Sequence, residues 1–182
     1  MKSTRLAIPE VILLEPQLFS DDRGYFYESF NQKKFSEVVG REVHFVQDNC
    51  SMSHQGVLRG LHYQVVHPQG KLVSVLQGEV FDVAVDVRIN SPTRGQWVAE
   101  ILSAENKKQL WIPEGFAHGF LVLSKEAIFQ YKVTDYWYAQ HERCLRYDDE
   151  TLSIRWPDTL VPKISEKDSA GTKWGDGVGI NG

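Results

Sequence analysis

The run Lys71-Leu-Val-Ser-Val-Leu-Gln77-Gly78-Glu79-Val-Phe-Asp-Val-Ala-Val-Asp-Val87 decides the class of fold. Its residues are mostly β-branched or apolar, and a period of two sorts them onto the two faces of a sheet. Read as two strands joined by a two-residue Gln77-Gly78 turn, the stretch opposes Leu76 to Glu79, Val73 to Asp82 and Lys71 to Ala84. One face then carries Lys71, Val73, Val75, Val80, Asp82 and Ala84; the other carries Leu72, Leu76, Phe81, Val83, Val85 and Val87. Both faces are largely apolar, so both must be covered, as in a sandwich or barrel. Lys71 and Asp82 are diagonal neighbours on their face. They are either an edge salt bridge of small worth or charges directed into the lumen of a small barrel, and the pattern leaves both open.

Outward from this run, short alternating segments recur between Gly and Pro at intervals of about ten residues, the spacing of an all-β domain. Strands are expected at Val11–Leu14, Gly24–Phe30, Val43–Asp48, Val57–Gln64, Lys71–Gln77, Glu79–Val87, Gln96–Leu102, Lys108–Ile112, His118–Leu123 and Ala127–Thr134. One helix is expected from Asn31 to Val39, with Asn31 as N-cap, Phe35, Val38 and Val39 on one face and Gly40 as the stop. No fixed-period repeat or interior linker divides the chain, so residues 1–182 read as one domain. Five glycines between Gly171 and Gly182 suggest a flexible tail from about residue 170.

The 182 residues suffice to bury roughly 70% of the surface of the unfolded chain. A net charge of −4 argues against a general electrostatic grip on nucleic acid or an anionic membrane. Any anionic ligand must meet a local cationic pocket instead. No apolar run reaches membrane-spanning length, and Met1-Lys2-Ser3-Thr4-Arg5 leads into no signal-like segment, so a cytoplasmic location is expected. Cys50 and Cys144 are far apart and in no CxxC pairing; both read as small, half-buried residues.

Gly56-Val-Leu-Arg-Gly-Leu-His62 and Pro113-Glu-Gly-Phe-Ala-His118 resemble the two histidine-bearing motifs of cupin barrels. Metal-binding cupins continue the first motif with a second His and a Glu, whereas here Tyr63-Gln64 follows and no Glu occurs before Glu79. Two imidazoles alone hold a transition metal weakly, so no metal is expected, and His62 and His118 are free for proton transfer or hydrogen bonding. Alternation puts Arg59 and His62 on opposite faces. A shared site therefore requires a bulge, for which Gly60 is the candidate.

A wider set of motifs is more specific. Asp21-Asp-Arg-Gly-Tyr-Phe-Tyr-Glu28, Phe45-Val-Gln-Asp-Asn49, Val57-Leu-Arg-Gly-Leu-His-Tyr-Gln64, Gly70-Lys71, Gly78-Glu-Val-Phe-Asp-Val-Ala-Val-Asp86, Ser91-Pro-Thr, Leu102-Ser-Ala-Glu-Asn106 and Trp111-Ile-Pro-Glu-Gly-Phe-Ala-His-Gly-Phe120 occur in that order. Together they resemble the dTDP-4-dehydrorhamnose 3,5-epimerase family over about residues 5 to 168. The resemblance implies a metal-free, cofactor-free cupin jelly roll, a homodimer whose N-terminal region reaches the neighbour's site, and an isomerase acting on dTDP-4-dehydro-6-deoxy-D-glucose. It would invert C3 and C5 on the route to dTDP-L-rhamnose. A relative inverting one carbon, or a metal-dependent cupin, is the alternative.

By the same resemblance His62 is the base, Asp168 orients it, Tyr131 is the proton donor and Lys71 stands by the C4 oxygen. Arg23, Arg59 and Lys167 would bind the diphosphate, for which Arg is well shaped. Glu28, Gln47, Asp48, Asn49, Glu142 and His118 would contact nucleotide or sugar, and Trp137 would face the thymine. Read without the resemblance, Ser165-x-x-Asp168 is also a helix-capping pair, Tyr131 also a core tyrosine and Trp137 also rim packing. The tract Asp135-Tyr-Trp-Tyr138 and the residues after Asp168 depart from the family's usual sequence.

Overall fold

The computed structural model describes residues 1–158, 160–175 and 177–180. Its strands, in chain order, are β1 (Lys2–Arg5), β2 (Ile12–Glu15), β3 (Leu18–Asp21), β4 (Gly24–Tyr27), β5 (Gln47–His54), β6 (Leu58–Gln64), β7 (Lys71–Gln77), β8 (Glu79–Asp86), β9 (Trp97–Ser103), β10 (Gln109–Ile112), β11 (Phe116–Val122), β12 (Glu126–Val133) and β13 (Glu142–Cys144). The α-helices are α1 (Gln32–Val39) and α2 (Glu166–Ser169), and a short 3-10 turn spans Ala139–His141. A six-stranded sheet in the order β1-β2-β10-β7-β12-β5 packs on a five-stranded sheet in the order β13-β6-β11-β8-β9, and β3 and β4 form a separate hairpin. This antiparallel double sheet is the expected cupin-type jelly roll.

Apolar residues from both inner faces fill the space between the sheets: Leu13, Val73, Val75, Leu110 and Phe129 from one, Val80, Ala84, Val98, Phe116 and Phe120 from the other. The six-stranded sheet turns Ile12, Leu14, Leu72 and Trp111 outward, where Phe35 of α1 and Val43 cover them. The outer face of the five-stranded sheet offers Leu61, Val83, Val85, Val87 and Ala117, covered by Leu145, Leu152, Val178 and Ile180. The two apolar faces read from Lys71–Val87 are both covered over most of their length, with Leu76 left exposed at the end of β7, and Lys71 and Asp82 do point to the shared interior.

The expected Gln77-Gly78 hairpin is not formed. β7 pairs with β10 and β12, while β8 pairs with β11 and β9. The chain crosses between sheets at Gly78, whose φ is +76°. Alternation is the same for a crossing as for a hairpin. The choice lies in the Ser124–Glu126 turn, which also crosses between sheets and lies against this corner: Ser124 Oγ accepts the Glu79 N–H at 2.8 Å.

α1 has the predicted ends, with the Asn31 side chain accepting the Lys34 N–H and Gly40 left-handed at φ +84°. The strand expected at Val43–Asp48 begins instead at Gln47 and runs to His54. Its inward positions are Gln47, Asn49, Ser51 and Ser53, polar residues that hide a strand from an apolar period. The segment expected as a flexible tail is packed: Trp174 N–H donates to Asp149 Oδ2, Ile180 bridges Arg88, and Val178 and Ile180 are buried. Residues 176, 181 and 182 of that expectation lie outside the described residues.

A Cβ at Gly78 would lie 2.0 Å from the Glu126 carbonyl oxygen, whereas one at Gly175 would meet nothing within 4 Å. Gly78→Ala is therefore expected to cost about 2 kcal/mol or more and Gly175→Ala less than about 0.5 kcal/mol in urea unfolding. Equal midpoints for the two variants would contradict the crossing.

Candidate active site

The site begins at a defect in β6. Opposite β11, His62 pairs with His118 but Arg59 pairs with Phe120, so two residues of β6, Gly60 and Leu61, stand opposite the single Gly119 of β11. This is the bulge that a shared face for Arg59 and His62 requires. Gly60 sits in it at φ +116°, and a Cβ there would come within 2.6 Å of the His118 carbonyl oxygen. Arg59 reaches across the mouth to β5, its Nε donating to Ser53 Oγ at 3.0 Å.

The bulge also turns the Gly60 amide out of the ladder and toward Asp168. Asp168 Oδ2 accepts that N–H at 3.2 Å, and Oδ1 lies 2.7 Å from His62 Nε2. Ser165 caps α2 by accepting the Asp168 backbone N–H at 3.1 Å. Both readings of Ser165-x-x-Asp168 thus hold, with the cap on the serine and the carboxylate on the imidazole. Burial alone would raise the Asp168 carboxyl. The His62 hydrogen bond and charge, the Gly60 amide and Lys167 outweigh it, and the group lies below its ordinary value.

On the facing sheet, Tyr131 of β12 points inward from beside Phe129, with ring centroids 6.0 Å apart. Burial raises its phenol, and the negative charge of Glu142 adds to that, so it is protonated at neutral pH. Deeper in the lumen, Lys71, Asp82 and His118 are 8%, 0% and 6% exposed. His118 Nε2 is 2.9 Å from Asp82 Oδ2, and Asp82 Oδ1 is buried with no protein partner among the described residues. Burial lowers Lys71 to about 8, against the pull of Glu142 and Asp82. It also lowers His118, leaving a neutral imidazole at pH 7, and raises the Asp82 carboxyl against His118 and Lys71. The lumen reading of Lys71 and Asp82 is the one observed.

Other residues named from the sequence divide into two groups. At the mouth, Gln47 Nε2 donates to Asn49 Oδ1 at 2.9 Å, and the Trp137 N–H donates to Gln47 Oε1 at 3.3 Å, which leaves the Trp137 side chain exposed beside them. Glu142 and Lys167 form an ion pair. Asp48 is not in the lumen: register puts it opposite Lys132 on the outer face of β5, and it pairs with that lysine at 2.9 Å. Its neighbours Gln47 and Asn49 face in, so strict alternation turns Asp48 out. Arg23 and Glu28 also stand away from this chain's own lumen, Arg23 bound to Asp21 at the β3–β4 tip and Glu28 to Lys34 beside α1.

Cys144 was not recognised from the sequence as part of this region. It pairs with His62 across β13 and β6, and its Sγ lies 3.8 Å from Asp168 Oδ1. Burial and Asp168 push its thiol up to about 12. The signal available was the alternation Glu142, Arg143, Cys144, too short to distinguish from a loop.

Comparison with known proteins agrees in one direction. A family profile described as dTDP-4-dehydrorhamnose 3,5-epimerase matches residues 5–176. The dTDP-4-dehydrorhamnose 3,5-epimerase of Pseudomonas aeruginosa is 61% identical over 176 residues, covering 97% of each chain. A crystal structure of dTDP-6-deoxy-D-glucose-3,5-epimerase from Legionella pneumophila in complex with dTDP-4-keto-L-rhamnose superposes with a TM-score of 0.92 at 54% identity, covering 94% of this chain and 92% of that one. A 3'-monoepimerase from Streptomyces bikiniensis in complex with dTDP-quinovose superposes at 0.87 with 33% identity, covering 92% and 85%.

The lysine supplies a test that needs no substrate. Its ordinary value of 10.5 applies in the unfolded chain, against about 8 in the fold. Between these two the unfolded chain binds more protons, so stability rises with pH across that window, and the full cost, roughly 3 kcal/mol, is present below it. Lys71→Met should flatten the rise in denaturant unfolding measured from pH 7 to pH 10; an unchanged slope would contradict a buried lysine.

Proposed function

The chain belongs to the dTDP-4-dehydrorhamnose 3,5-epimerase family, and on that premise we propose that it is an isomerase converting dTDP-4-dehydro-6-deoxy-D-glucose to dTDP-4-dehydro-L-rhamnose, with His62 and Tyr131 as base and acid. What carries this reading is the Asp168-held His62 on one wall of the lumen and protonated Tyr131 on the other.

The 4-keto group makes the protons on C3 and C5 acidic, because the carbanion left behind is an enolate. To act as base His62 must be in its unprotonated form, in which Asp168 accepts the Nε2–H, so Nδ1 carries the lone pair and takes the carbon-bound proton. Charge then develops on the C4 oxygen. Lys71, buried and cationic at neutral pH, is the group to meet it, and a preorganised donor of this kind is worth about 3 to 4 kcal/mol. Tyr131 returns a proton from the opposite face, which inverts the carbon, and base and acid reset by exchange with solvent. Repetition at the second carbon requires only that the ring turn between the same two groups. No redox cofactor enters this balance.

Arg59, Lys167, Gln47, Asn49, Glu142, His118 and Trp137 are the candidates for the nucleotide and sugar. Arg23 and Glu28 join them from a second copy of the chain. In support of such a homodimer, the β3–β4 hairpin exposes Phe19, Tyr25 and Phe26 by 56%, 57% and 70%. No described helix is long and apolar enough to cross a membrane, and a cytoplasmic location completes the proposal.

In deuterated water the enzyme should place label at both C3 and C5. His62→Ala should bind the dTDP-sugar yet lose exchange by about 10²- to 10⁴-fold. Exchange at full rate in that variant would overturn the base assignment, and label at one carbon only would make the protein a mono-epimerase. Heterodimers of Arg23→Ala and His62→Ala subunits should contain one complete site and recover the activity lost in each homodimer. No recovery would return Arg23 to its own chain.

A further inference from the structure

The donor atoms of His62, Cys144 and Asp168 lie within 4.8 Å of one another. Proton transfer uses two of these residues and leaves the thiol without a role. The set combines imidazole, thiol and carboxylate, the three ligand types of protein zinc sites. Zinc–ligand bond lengths at a tetrahedral angle put ligand atoms about 3.3 to 3.6 Å apart. Here Asp168 Oδ1 is 2.7 Å from His62 Nε2 and 3.8 Å from Cys144 Sγ, so adjustments on the order of an ångström would suffice. The His62 side chain is 28% exposed, which gives an ion access to the cluster from the lumen.

We propose that His62, Cys144 and Asp168 form a binding site for a thiophilic divalent cation, Zn²⁺ being the reference ion, and that its occupancy switches off proton abstraction. The second half of this proposal rests on the reading of His62 as the base. When the ion binds, Cys144 releases its proton to solvent and coordinates as thiolate. The ion displaces the proton on His62 Nε2, and a proton taken up at Nδ1 restores the neutral ring, so one proton is lost overall. A ring metallated at Nε2 and protonated at Nδ1 has no lone pair for a carbon acid. A hard cation such as Mg²⁺ has little affinity for a thiolate and should leave the enzyme unaffected.

The exposed Cys50 is removed as a competing thiol by working in a Cys50→Ser background. Co²⁺ added to that protein should produce a thiolate-to-cobalt charge-transfer band in the near ultraviolet, absent when Cys144→Ser is added. Without metal, Cys144→Ser should exchange solvent deuterium at the parent rate; Cys144→Ala serves equally if serine perturbs folding. The Zn²⁺ concentration for half-inhibition should rise at least tenfold in the Cys144 variants, and a chelator should restore the parent. No charge-transfer band, or equal Zn²⁺ sensitivity in parent and variant, would overturn the site. A band with undiminished deuterium exchange would overturn the switch and place the fault with His62 as base.

Discussion

The Gly60 amide donating to Asp168 is the contact from which the chemistry of this fold follows. In a regular β6 that N–H would point along the ladder, and His62 and Arg59 would sit on opposite faces. The extra residue of the bulge changes both at once. It releases the amide to hold one oxygen of Asp168, and it rotates His62 so that the other oxygen holds the imidazole. Only glycine fits there, since the β11 backbone at His118 and Gly119 approaches to a distance no Cβ permits. Asp168 in turn depends on α2, which Ser165 caps, and on the packed C-terminal segment, where Leu145 and Thr172 pair in parallel.

A second constraint is the charge carried inside the lumen. Lys71, Asp82 and His118 are removed from water together, an arrangement that costs stability unless each charge has a partner. Neutral His118 and the mutual field of Lys71 and Asp82 limit that cost. The residual strain on Lys71 appears as a proton held less tightly than in water. A cation kept in low dielectric is also one whose field on a nascent oxyanion is poorly screened. The overall charge of −4 is a sum over the whole chain; at the mouth and floor of the barrel Arg59, Lys71 and Lys167 stand among Asp82, Glu142 and Asp168, so the cations there are set against carboxylates rather than gathered into a positive patch.

Much of this was legible in the residue order, for physical reasons that differ by element. Lys71 and Asp82 could be assigned to one face because side-chain alternation survives any choice of strand partner. The choice of partner could not be read, since Gly78 serves a hairpin and a crossing equally well, and long-range pairing with β11 and β12 decided it. α1 was legible because Asn31 and Gly40 are local signals at its ends. β5 was displaced because its lumen-facing residues are polar, the same property that makes them useful at the mouth. Asp48 was placed in the site by resemblance alone, whereas a period of two turns it outward, opposite Lys132. The C-terminal glycines suggested mobility, but Val178 and Ile180 are buried and Trp174 packs against the outer face of the five-stranded sheet.

The central claim is that one sugar ring is held between His62 and Tyr131, with its C4 oxygen toward Lys71. A crystal structure of this protein with a dTDP-sugar bound tests it most directly. The account predicts the His62 imidazole still bound to Asp168 on one face of the ring and the Tyr131 hydroxyl on the other. A ring with both groups on the same face, or with its C4 oxygen turned away from Lys71, would contradict it.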